Sequence, residues 1–281
     1  MIKWWQGLVL GTLQGLTEFL PVSSSGHLAL AQNLFQGFAQ PGVLFDVALH
    51  LATSVAVVVY FYQDLLLLLK RDAGKEDAGM SGSGEMTKLR WGLVWPLLFA
   101  TVPTGVIGYL LKDRVEASFE KPLFVGIFLL VTALILFAAD MVLRLRKEAL
   151  KAQDPGLWQS VVIGIAQGLA VFPGISRSGA TIAAGIFTGN RGDYAARFSF
   201  LLSVPAVLGA SALSLLKERE ALVGFSGQDL GVYLLGMLAA FVVGYFSIKL
   251  MFSVVRRVRL SWFGIYCAVV GVATIIITSW R

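Results

Sequence analysis

Two short polar segments, 153 residues apart in the chain, contain the residue types that could carry chemistry. The first, residues 14–28, reads QGLTEFLPVSSSGHL, and the second, residues 167–181, reads QGLAVFPGISRSGAT. Eight identities fall within sixteen consecutive positions without a gap, which argues for an internal repeat. The identical positions are Gly11, Gln14, Gly15, Leu16, Phe19, Ser23, Ser25 and Gly26, matched by Gly164, Gln167, Gly168, Leu169, Phe172, Ser176, Ser178 and Gly179.

The two copies differ at the positions that matter most for chemistry. The first copy has Glu18, Ser24 and His27. The second has Arg177 opposite the serine and apolar residues opposite the other two. One copy therefore supplies a carboxylate, hydroxyl groups and an imidazole, and the other a guanidinium whose fork of donors suits bidentate phosphate binding. We predict an asymmetric phosphate site where the two copies meet.

Phosphoryl transfer is the chemistry that fits these groups. An activated Ser24 or His27 attacks phosphorus, while Glu18 orients or tunes the imidazole. Arg177 and backbone N–H groups at helix N-termini neutralise the phosphoryl oxygens. An arginine in an apolar segment is costly and by default functional. A structural ion pair between Arg177 and Glu18 is the alternative, and both interpretations hold together if a resting pair opens to admit a phosphate.

The composition is that of a membrane protein. Of the 281 residues, 57% are hydrophobic and 14% are charged, against about 25% charged in an ordinary soluble domain. The mean hydropathy is +0.76. Six largely uncharged runs are long enough to cross a hydrocarbon core of about 30 Å. They lie at residues 43–62, 91–111, 122–139, 198–216, 230–248 and 260–280.

Charge and cysteine content argue against several other classes. The net charge of +6 comes without a soluble basic face that could bind nucleic acid, so basic loops retained on the cytoplasmic side explain it better. The single Cys267 and the two histidines argue against an intrachain disulfide and against a cysteine- or histidine-rich metal site.

Each polar segment is predicted to be carried by a broken helix. Residues 1–20 form an apolar helix with Gly7, Gly11 and Gly15 on one face, which allows close helix contact in lipid. Pro21 ends this helix, and the serines at 23–25 offer N-caps for a short helix that continues to about residue 36. Neither half is a full span, so we predict a re-entrant hairpin here and a second one at residues 157–189.

The whole chain is predicted to be one all-α polytopic membrane domain built as an inverted-topology repeat. Repeat 1 (residues 1–143) and repeat 2 (157–281) each contain one re-entrant hairpin and three spans, joined by a basic connector at 144–156. A plain bundle of eight or ten helices is the alternative. In the predicted arrangement the hairpins enter from opposite sides, as in many transporters, whose sites lie near the membrane midplane.

The distribution of Lys and Arg gives the predicted orientation. Fourteen of them fall in four segments that we place in the cytoplasm, and seven fall on the opposite side. The cytoplasmic segments are residues 63–90, 144–155, 190–197 and 253–260.

Asp46 and His50 lie at positions i and i+4 of the first span, on one face of that helix. They could extend the site or pair with each other for structural reasons. We favour the structural interpretation.

The motifs TEFLPVSSSGHL, FDVALHL, PGISRSGATI and FSFLLSVPA resemble those of the undecaprenyl-diphosphate phosphatase family associated with bacitracin resistance. The similarity covers nearly the whole chain. It implies dephosphorylation of the C55 lipid diphosphate to its monophosphate, which recycles the carrier lipid for peptidoglycan synthesis and cell wall biogenesis. It also implies a multi-pass protein of the bacterial plasma (inner) membrane, with two re-entrant hairpins, a site open to the outer (periplasmic) side, and a homodimer.

Carried onto this chain, the family's acidic motif falls on Gln14 and Glu18, its serine–histidine loop on residues 23–27, and its second motif on residues 173–181. Gln14 stands where some members have Glu, so catalysis should rest on Glu18, and we favour Ser24 as nucleophile with His27 as base. The residues expected to bind phosphate are Ser23, Ser25, Gly26, Ser176, Ser178, Gly179 and Thr181, supported by Gln14 and Gln167.

The resemblance also bears on cofactors and on rival functions. With a single carboxylate in the acidic motif, a tight two-oxygen metal site is in doubt. No cofactor is identified, and a divalent cation (Mg²⁺ or Ca²⁺) bound with the diphosphate is the one candidate. A secondary transporter or lipid flippase on the same inverted-repeat scaffold is the alternative function, and release of inorganic phosphate distinguishes it from a phosphatase.

Overall fold

A computed structural model of the protein describes residues 2–35, 43–63, 65, 93–119, 121–217, 227–257 and 259–280. These residues form ten α-helices and one short 3₁₀ helix, and no strand is found among them. The α-helices are α1 (Trp4–Phe19), α2 (Ser24–Leu34), α3 (Leu44–Tyr60), α4 (Val94–Phe119), α5 (Pro122–Leu145), α6 (Leu157–Leu169), α7 (Arg177–Phe187), α8 (Gly192–Lys217), α9 (Gly227–Arg257) and α10 (Ser261–Ser279). The 3₁₀ helix is Lys147–Ala149.

Five of these helices, α4, α5, α8, α9 and α10, are long and apolar enough to cross a membrane. The prediction of a polytopic all-α membrane protein is therefore confirmed. The sequence predicted six spans, and the remaining one, α3, has 17 residues, fewer than the roughly 20 of a full crossing. Helix α4 ends at Phe119, eight residues after the end of the predicted span at residue 111, so the polar residues that follow the span are also helical. The predicted polar loop at residues 63–90 lies almost entirely outside the described residues.

The two broken segments form helical hairpins, α1–α2 and α6–α7. At the open end of the first, the rings of Trp5 and Phe35 meet edge to face with centroids 5.1 Å apart. At the open end of the second, Gln159 Nε2 donates to the carbonyl of Thr188 over 2.8 Å. Each hairpin therefore begins and ends at the same end of the bundle.

Glycines of the repeat set the closest helix contacts. A Cβ on Gly11 would lie 2.2 Å from the carbonyl oxygen of Gly236, so α1 lies directly against α9. At the equivalent position in the second copy, a Cβ on Gly164 would lie 2.2 Å from the carbonyl oxygen of Ala100, which brings α6 against α4. The predicted close contact through the glycine face of α1 is confirmed. The pair α6 and α4 makes the same kind of contact as the pair α1 and α9.

Gly11→Ala is expected to destabilise the protein by about 1–3 kcal/mol, because its methyl group overlaps the backbone of α9. Gly105→Ala is the matched control, since a Cβ there meets nothing within 4 Å and alanine favours a helix over glycine by up to about 1 kcal/mol. Thermal unfolding of both variants in the same detergent measures the difference. Equal melting temperatures would contradict the proposed contact.

Contacts at the helix ends and in the connector define the two ends of the bundle. The backbone N–H of Arg191 donates to the carbonyl of Lys151 over 2.9 Å, and a Cβ on Gly192 would lie 2.9 Å from Val255 Cγ1. Three of the four predicted cytoplasmic segments therefore lie together, and the fourth is largely outside the described residues. At the opposite end, Lys217 pairs with Glu116 over 3.2 Å.

Exposed tryptophans lie near both ends of the helices, where aromatic residues concentrate at membrane–water interfaces. At the end that contains the connector they are Trp95, Trp158 and Trp262, and at the opposite end they are Trp4, Trp5 and Trp280. This pattern agrees with a bundle that crosses the bilayer along its helix axes.

Candidate active site

The tips of the two hairpins are in direct contact. The backbone N–H of Gly174 donates to Ser23 Oγ over 3.0 Å, and Ser178 Oγ donates to the carbonyl of Leu20 over 3.1 Å. The two copies of the repeat, far apart in sequence, thus form one junction beside the middle parts of α4 and α9. This is the meeting of tips that an asymmetric site requires.

Backbone geometry at the junction is unusual in each tip. Ser23 has φ of 71°, a left-handed conformation that costs a residue with a Cβ about 1–2 kcal/mol. Its carbonyl and hydroxyl oxygens offset this cost by accepting hydrogen bonds from His27 and Gly174. Gly174 has φ of +105°, and a Cβ there would lie 2.5 Å from the carbonyl oxygen of Val125, so only glycine fits.

The predicted helix N-caps are confirmed in both tips. Ser23 Oγ accepts from the N–H of Gly26 over 3.3 Å, and Ser176 Oγ accepts from the N–H of Gly179 over 3.0 Å. These four residues are equivalent pairs of the repeat. The N-termini of α2 and α7, which carry the positive ends of the helix dipoles, therefore both begin at the junction and favour an anion there.

Glu18 is the centre of the polar contacts. Its carboxylate is buried and forms an ion pair through Oε1 with the guanidinium of Arg177. Its other oxygen, Oε2, accepts from Ser24 Oγ over 2.5 Å and from Gln14 Nε2 over 3.0 Å. The structure thus brings together the carboxylate, serine and arginine that the sequence singled out, and the arginine comes from the other copy.

His27 has different partners from those expected. Its Nδ1 lies 2.7 Å from the carbonyl oxygen of Ser23, and its Nε2 lies 2.8 Å from the hydroxyl of Tyr266. Because a carbonyl only accepts, Nδ1 carries the proton and Nε2 accepts from the tyrosine. The expected contact between Glu18 and His27 is absent from the described part of the chain. The side chain that Ser24 Oγ contacts is instead Glu18.

His50 lies within the site. Gln14 Nε2 is 2.9 Å from His50 Nδ1, and that nitrogen is 3.5 Å from Glu18 Oε2. Asp46 accepts from Gln32 Nε2 over 2.7 Å. Of the two interpretations that the sequence left open for the Asp46–His50 pair, the contacts of His50 support an extended site, which is not the one we favoured.

Some of the predicted residues have partners away from Glu18. Thr181 is fully buried, and its hydroxyl lies 2.6 Å from that of Ser199 on α8. Gln167 Nε2 contacts Thr104 Oγ1 on α4 over 3.3 Å. Both residues therefore stabilise the second hairpin against its neighbours.

Sequence reasoning missed Thr132 and Tyr266. Thr132 Oγ1 donates to the carbonyl of Gly174 over 2.8 Å and accepts from the N–H of Ser176 over 2.9 Å. It thereby joins the second tip to α5, as Tyr266 joins the first tip to α10. The available signal was a polar side chain within an apolar span, alone in the span at residues 122–139 and accompanied by other hydroxyl groups in the span at 260–280. Such a signal does not by itself distinguish a site residue from one that bonds its own helix, as Thr274 does.

Tyr266→Phe is expected to lower the kcat for release of inorganic phosphate about 3- to 10-fold, since it removes one hydrogen bond from His27 but keeps the ring. The loss is expected because His27 contacts the carbonyl of Ser23, whose backbone is strained. Turnover is the measurement, with melting temperature as the check on folding. A wild-type rate would show that the tyrosine hydroxyl does not support the tip.

Comparison with known proteins places the chain in a family. A family model described as "Bacitracin resistance protein BacA" matches residues 7–273. The chain is 40% identical to an undecaprenyl-diphosphatase of Methanosphaera stadtmanae, with 96% of each chain covered. It is 44% identical to one from Syntrophotalea carbinolica, covering 94% of this chain and 95% of the relative. It is 43% identical to one from Desulfosudis oleivorans, covering 96% and 97%. The chain therefore belongs to the bacitracin resistance protein BacA family.

Proposed function

We propose that the protein hydrolyses undecaprenyl diphosphate to undecaprenyl phosphate and inorganic phosphate. The observation that carries the proposal is the contact of Ser24 Oγ with Glu18 Oε2 at 2.5 Å, beside an arginine from the opposite hairpin. A serine hydroxyl on a buried carboxylate is placed to become a nucleophile, and a guanidinium beside it suits phosphoryl oxygens. The named activity of the relatives supports the same conclusion.

The reaction follows from these contacts. Ser24 Oγ attacks the terminal phosphorus, and its proton passes to Glu18 Oε2. The bond between that phosphorus and the bridging oxygen breaks, and undecaprenyl phosphate leaves. Arg177 and the N-termini of α2 and α7 stabilise the phosphoryl charge during transfer. Water then attacks the phosphorus of the phosphoserine, and the bond between phosphorus and Ser24 Oγ breaks. Glu18 Oε2 returns its proton to Ser24 Oγ, and inorganic phosphate leaves.

The same reaction would recycle the carrier lipid for peptidoglycan synthesis. It would also confer bacitracin resistance, in agreement with the family description. Cell wall biogenesis and cell shape would then depend on this turnover.

The inverted repeat with two re-entrant hairpins is also our proposal. Gly7 and Gly11 of α1 lie beside Val232 and Gly236 of α9, so these helices run parallel. Helix α9 starts at the end opposite the connector, and α1 therefore enters from that end. The second hairpin opens at Gln159 and Thr188, near the connector. Hairpins that enter from opposite ends and meet at their tips support an inverted repeat with its site near the midplane.

The proposed inverted repeat also gives the boundaries of the two repeats and the side of the membrane to which each hairpin opens. Repeat 1 spans residues 1–143 and repeat 2 spans 157–281, with the connector at 144–156 in the cytoplasm. The first hairpin then opens toward the outer face of the inner membrane, from which the diphosphate reaches Ser24. A homodimer stays a prediction, which cross-linking in native membranes would test.

We propose that a divalent cation, Mg²⁺ or Ca²⁺, enters with the diphosphate and is not held by the protein beforehand. Among the described residues, no three His, Cys, Asp or Glu side chains are grouped to hold a metal. Both oxygens of Glu18 already have partners in Arg177, Ser24 and Gln14. The bound cation would supply further neutralisation of phosphate charge.

Phosphate release by the purified protein from undecaprenyl diphosphate in detergent is the test, with and without a chelator. Turnover that yields inorganic phosphate supports a phosphatase. Transport of lipid between leaflets of a vesicle without phosphate release would instead support the flippase or secondary transporter that shares this architecture. Acid quench during turnover, followed by identification of the phosphorylated residue, tests the covalent step at Ser24.

A further inference from the structure

Two titratable side chains contact Glu18 among the described residues, Arg177 and His50. The proposed reaction gives a role to Arg177 and none to His50. His50 comes from α3, which belongs to neither hairpin. Its Nδ1 lies 2.9 Å from Gln14 Nε2 and 3.5 Å from Glu18 Oε2. An imidazole so close to the catalytic carboxylate affects how that carboxylate is held.

The amide of Gln14 fixes the roles of the atoms in this group. Gln14 is fully buried, and its Nε2 is within hydrogen-bond distance of both Glu18 Oε2 and His50 Nδ1. A carboxylate oxygen requires a donor, so the amide nitrogen faces it. The same nitrogen then donates its second hydrogen to His50 Nδ1, which must accept. His50 is therefore neutral, with its proton on Nε2.

Gln14 Oε1 supports this assignment, because it is buried with no hydrogen-bond partner among the described residues. A flipped amide would place this oxygen against the carboxylate of Glu18 and would repel it. In the observed orientation the amide oxygen has no hydrogen-bond partner among the described residues, and the two hydrogens of the amide nitrogen are donated to Glu18 and His50. Thr53 Oγ1 is also within reach of Gln14 Nε2, at the longer distance of 3.5 Å. Without an acceptor at residue 50, the second hydrogen would have only this weaker contact, and the amide could rotate away from Glu18.

We propose that His50 is a positioning residue for the catalytic carboxylate, acting through Gln14. By accepting from Gln14, it keeps Gln14 Nε2 on Glu18 Oε2, and this holds that oxygen in line with Ser24 Oγ. Among the described contacts, the imidazole of His50 reaches Gln14 and Glu18 and not the hydroxyl of Ser24. The inference rests on the proposed phosphatase function and extends it to a residue on a third helix.

The experiment compares His50→Leu with His50→Gln in the full-length protein. Leucine has similar bulk but cannot accept a hydrogen bond, so kcat is expected to fall about 10- to 100-fold with KM nearly unchanged. Glutamine offers a carbonyl oxygen to Gln14, so kcat is expected to stay within about 3-fold of wild type. Thr274→Ala, at a buried position on α10 whose hydroxyl donates to the carbonyl of Val270 in its own helix, is the control and should leave kcat unchanged.

A double-variant cycle separates positioning from simple packing. If His50 acts through Gln14, then Gln14→Leu/His50→Leu loses no more activity than Gln14→Leu alone. Additive losses, a wild-type rate in His50→Leu, or a rate in His50→Gln as low as in His50→Leu would each overturn the inference. A wild-type protein that releases no phosphate would instead remove the proposed function, so the two failures are distinguishable.

Discussion

Ser24→Ala is expected to lower turnover of undecaprenyl diphosphate by at least about 10³-fold, because it removes the hydroxyl that we propose as the nucleophile. Stability should change by only about 1 kcal/mol, the usual value of one lost hydrogen bond. Glu18 keeps its contacts with Arg177 and Gln14 in this variant. Steady-state phosphate release and thermal unfolding are the two measurements.

Ser25→Ala is the matched comparison for this prediction. The hydroxyl of Ser25 lies 3.5 Å from that of Ser23, and Ser24 is the serine whose hydroxyl lies on the carboxylate. We therefore expect a much smaller loss in Ser25→Ala. Equal losses in the two variants, or a Ser24→Ala protein that still forms a phosphoenzyme, would contradict Ser24 as nucleophile.

Arg177→Lys is expected to lower turnover about 10²- to 10³-fold, since lysine keeps the charge but lacks the planar fork that binds two phosphoryl oxygens. The ion pair with Glu18 can still form, so the melting temperature should stay close to that of wild type. Phosphate release and binding of the lipid diphosphate are measured together. Normal turnover in Arg177→Lys would contradict a phosphate-binding role for the arginine and would leave it only the structural role of pairing with Glu18.

Arg177→Ala separates the two roles of the arginine. It leaves the buried carboxylate of Glu18 without its cationic partner, which costs about 3–5 kcal/mol in such sites. Adding Glu18→Gln removes the isolated charge and should restore most of the stability. Turnover should not return, because the proposed base and the proposed phosphate-binding group are both missing. Restored turnover in the double variant would contradict the proposed mechanism.

Much of the junction was predictable because its causes are local in sequence. Serines at helix starts satisfy free N–H groups, which predicted the caps at Ser23 and Ser176. A glycine face permits close helix contact, which predicted the packing of α1. A buried arginine and a buried carboxylate each require a partner in lipid, which is why a pair of Arg177 with Glu18 was the alternative that the sequence offered, and the structure contains it.

The division of roles inside the site was not predictable in the same way. The sequence predicted His27 as the base for Ser24, but in the structure the hydroxyl of Ser24 contacts Glu18 and His27 lies between the Ser23 carbonyl and Tyr266. Both residues flank the same turn, so their spacing permits either arrangement. The choice depends on how α2 is rotated against α10, and no local rule sets that rotation.

By itself the sequence determined the helical membrane class, the paired tips and the family, because hydrophobic runs, caps and motifs are properties of neighbouring residues. Only the tertiary structure decided that His50 joins Glu18, that Thr132 and Tyr266 hold the tips, and that Gln167 and Thr181 face other helices. Each of these contacts joins residues from different helices. Their formation depends on the packing of whole helices against one another, where one polar side chain in an apolar span gives no indication of its partner.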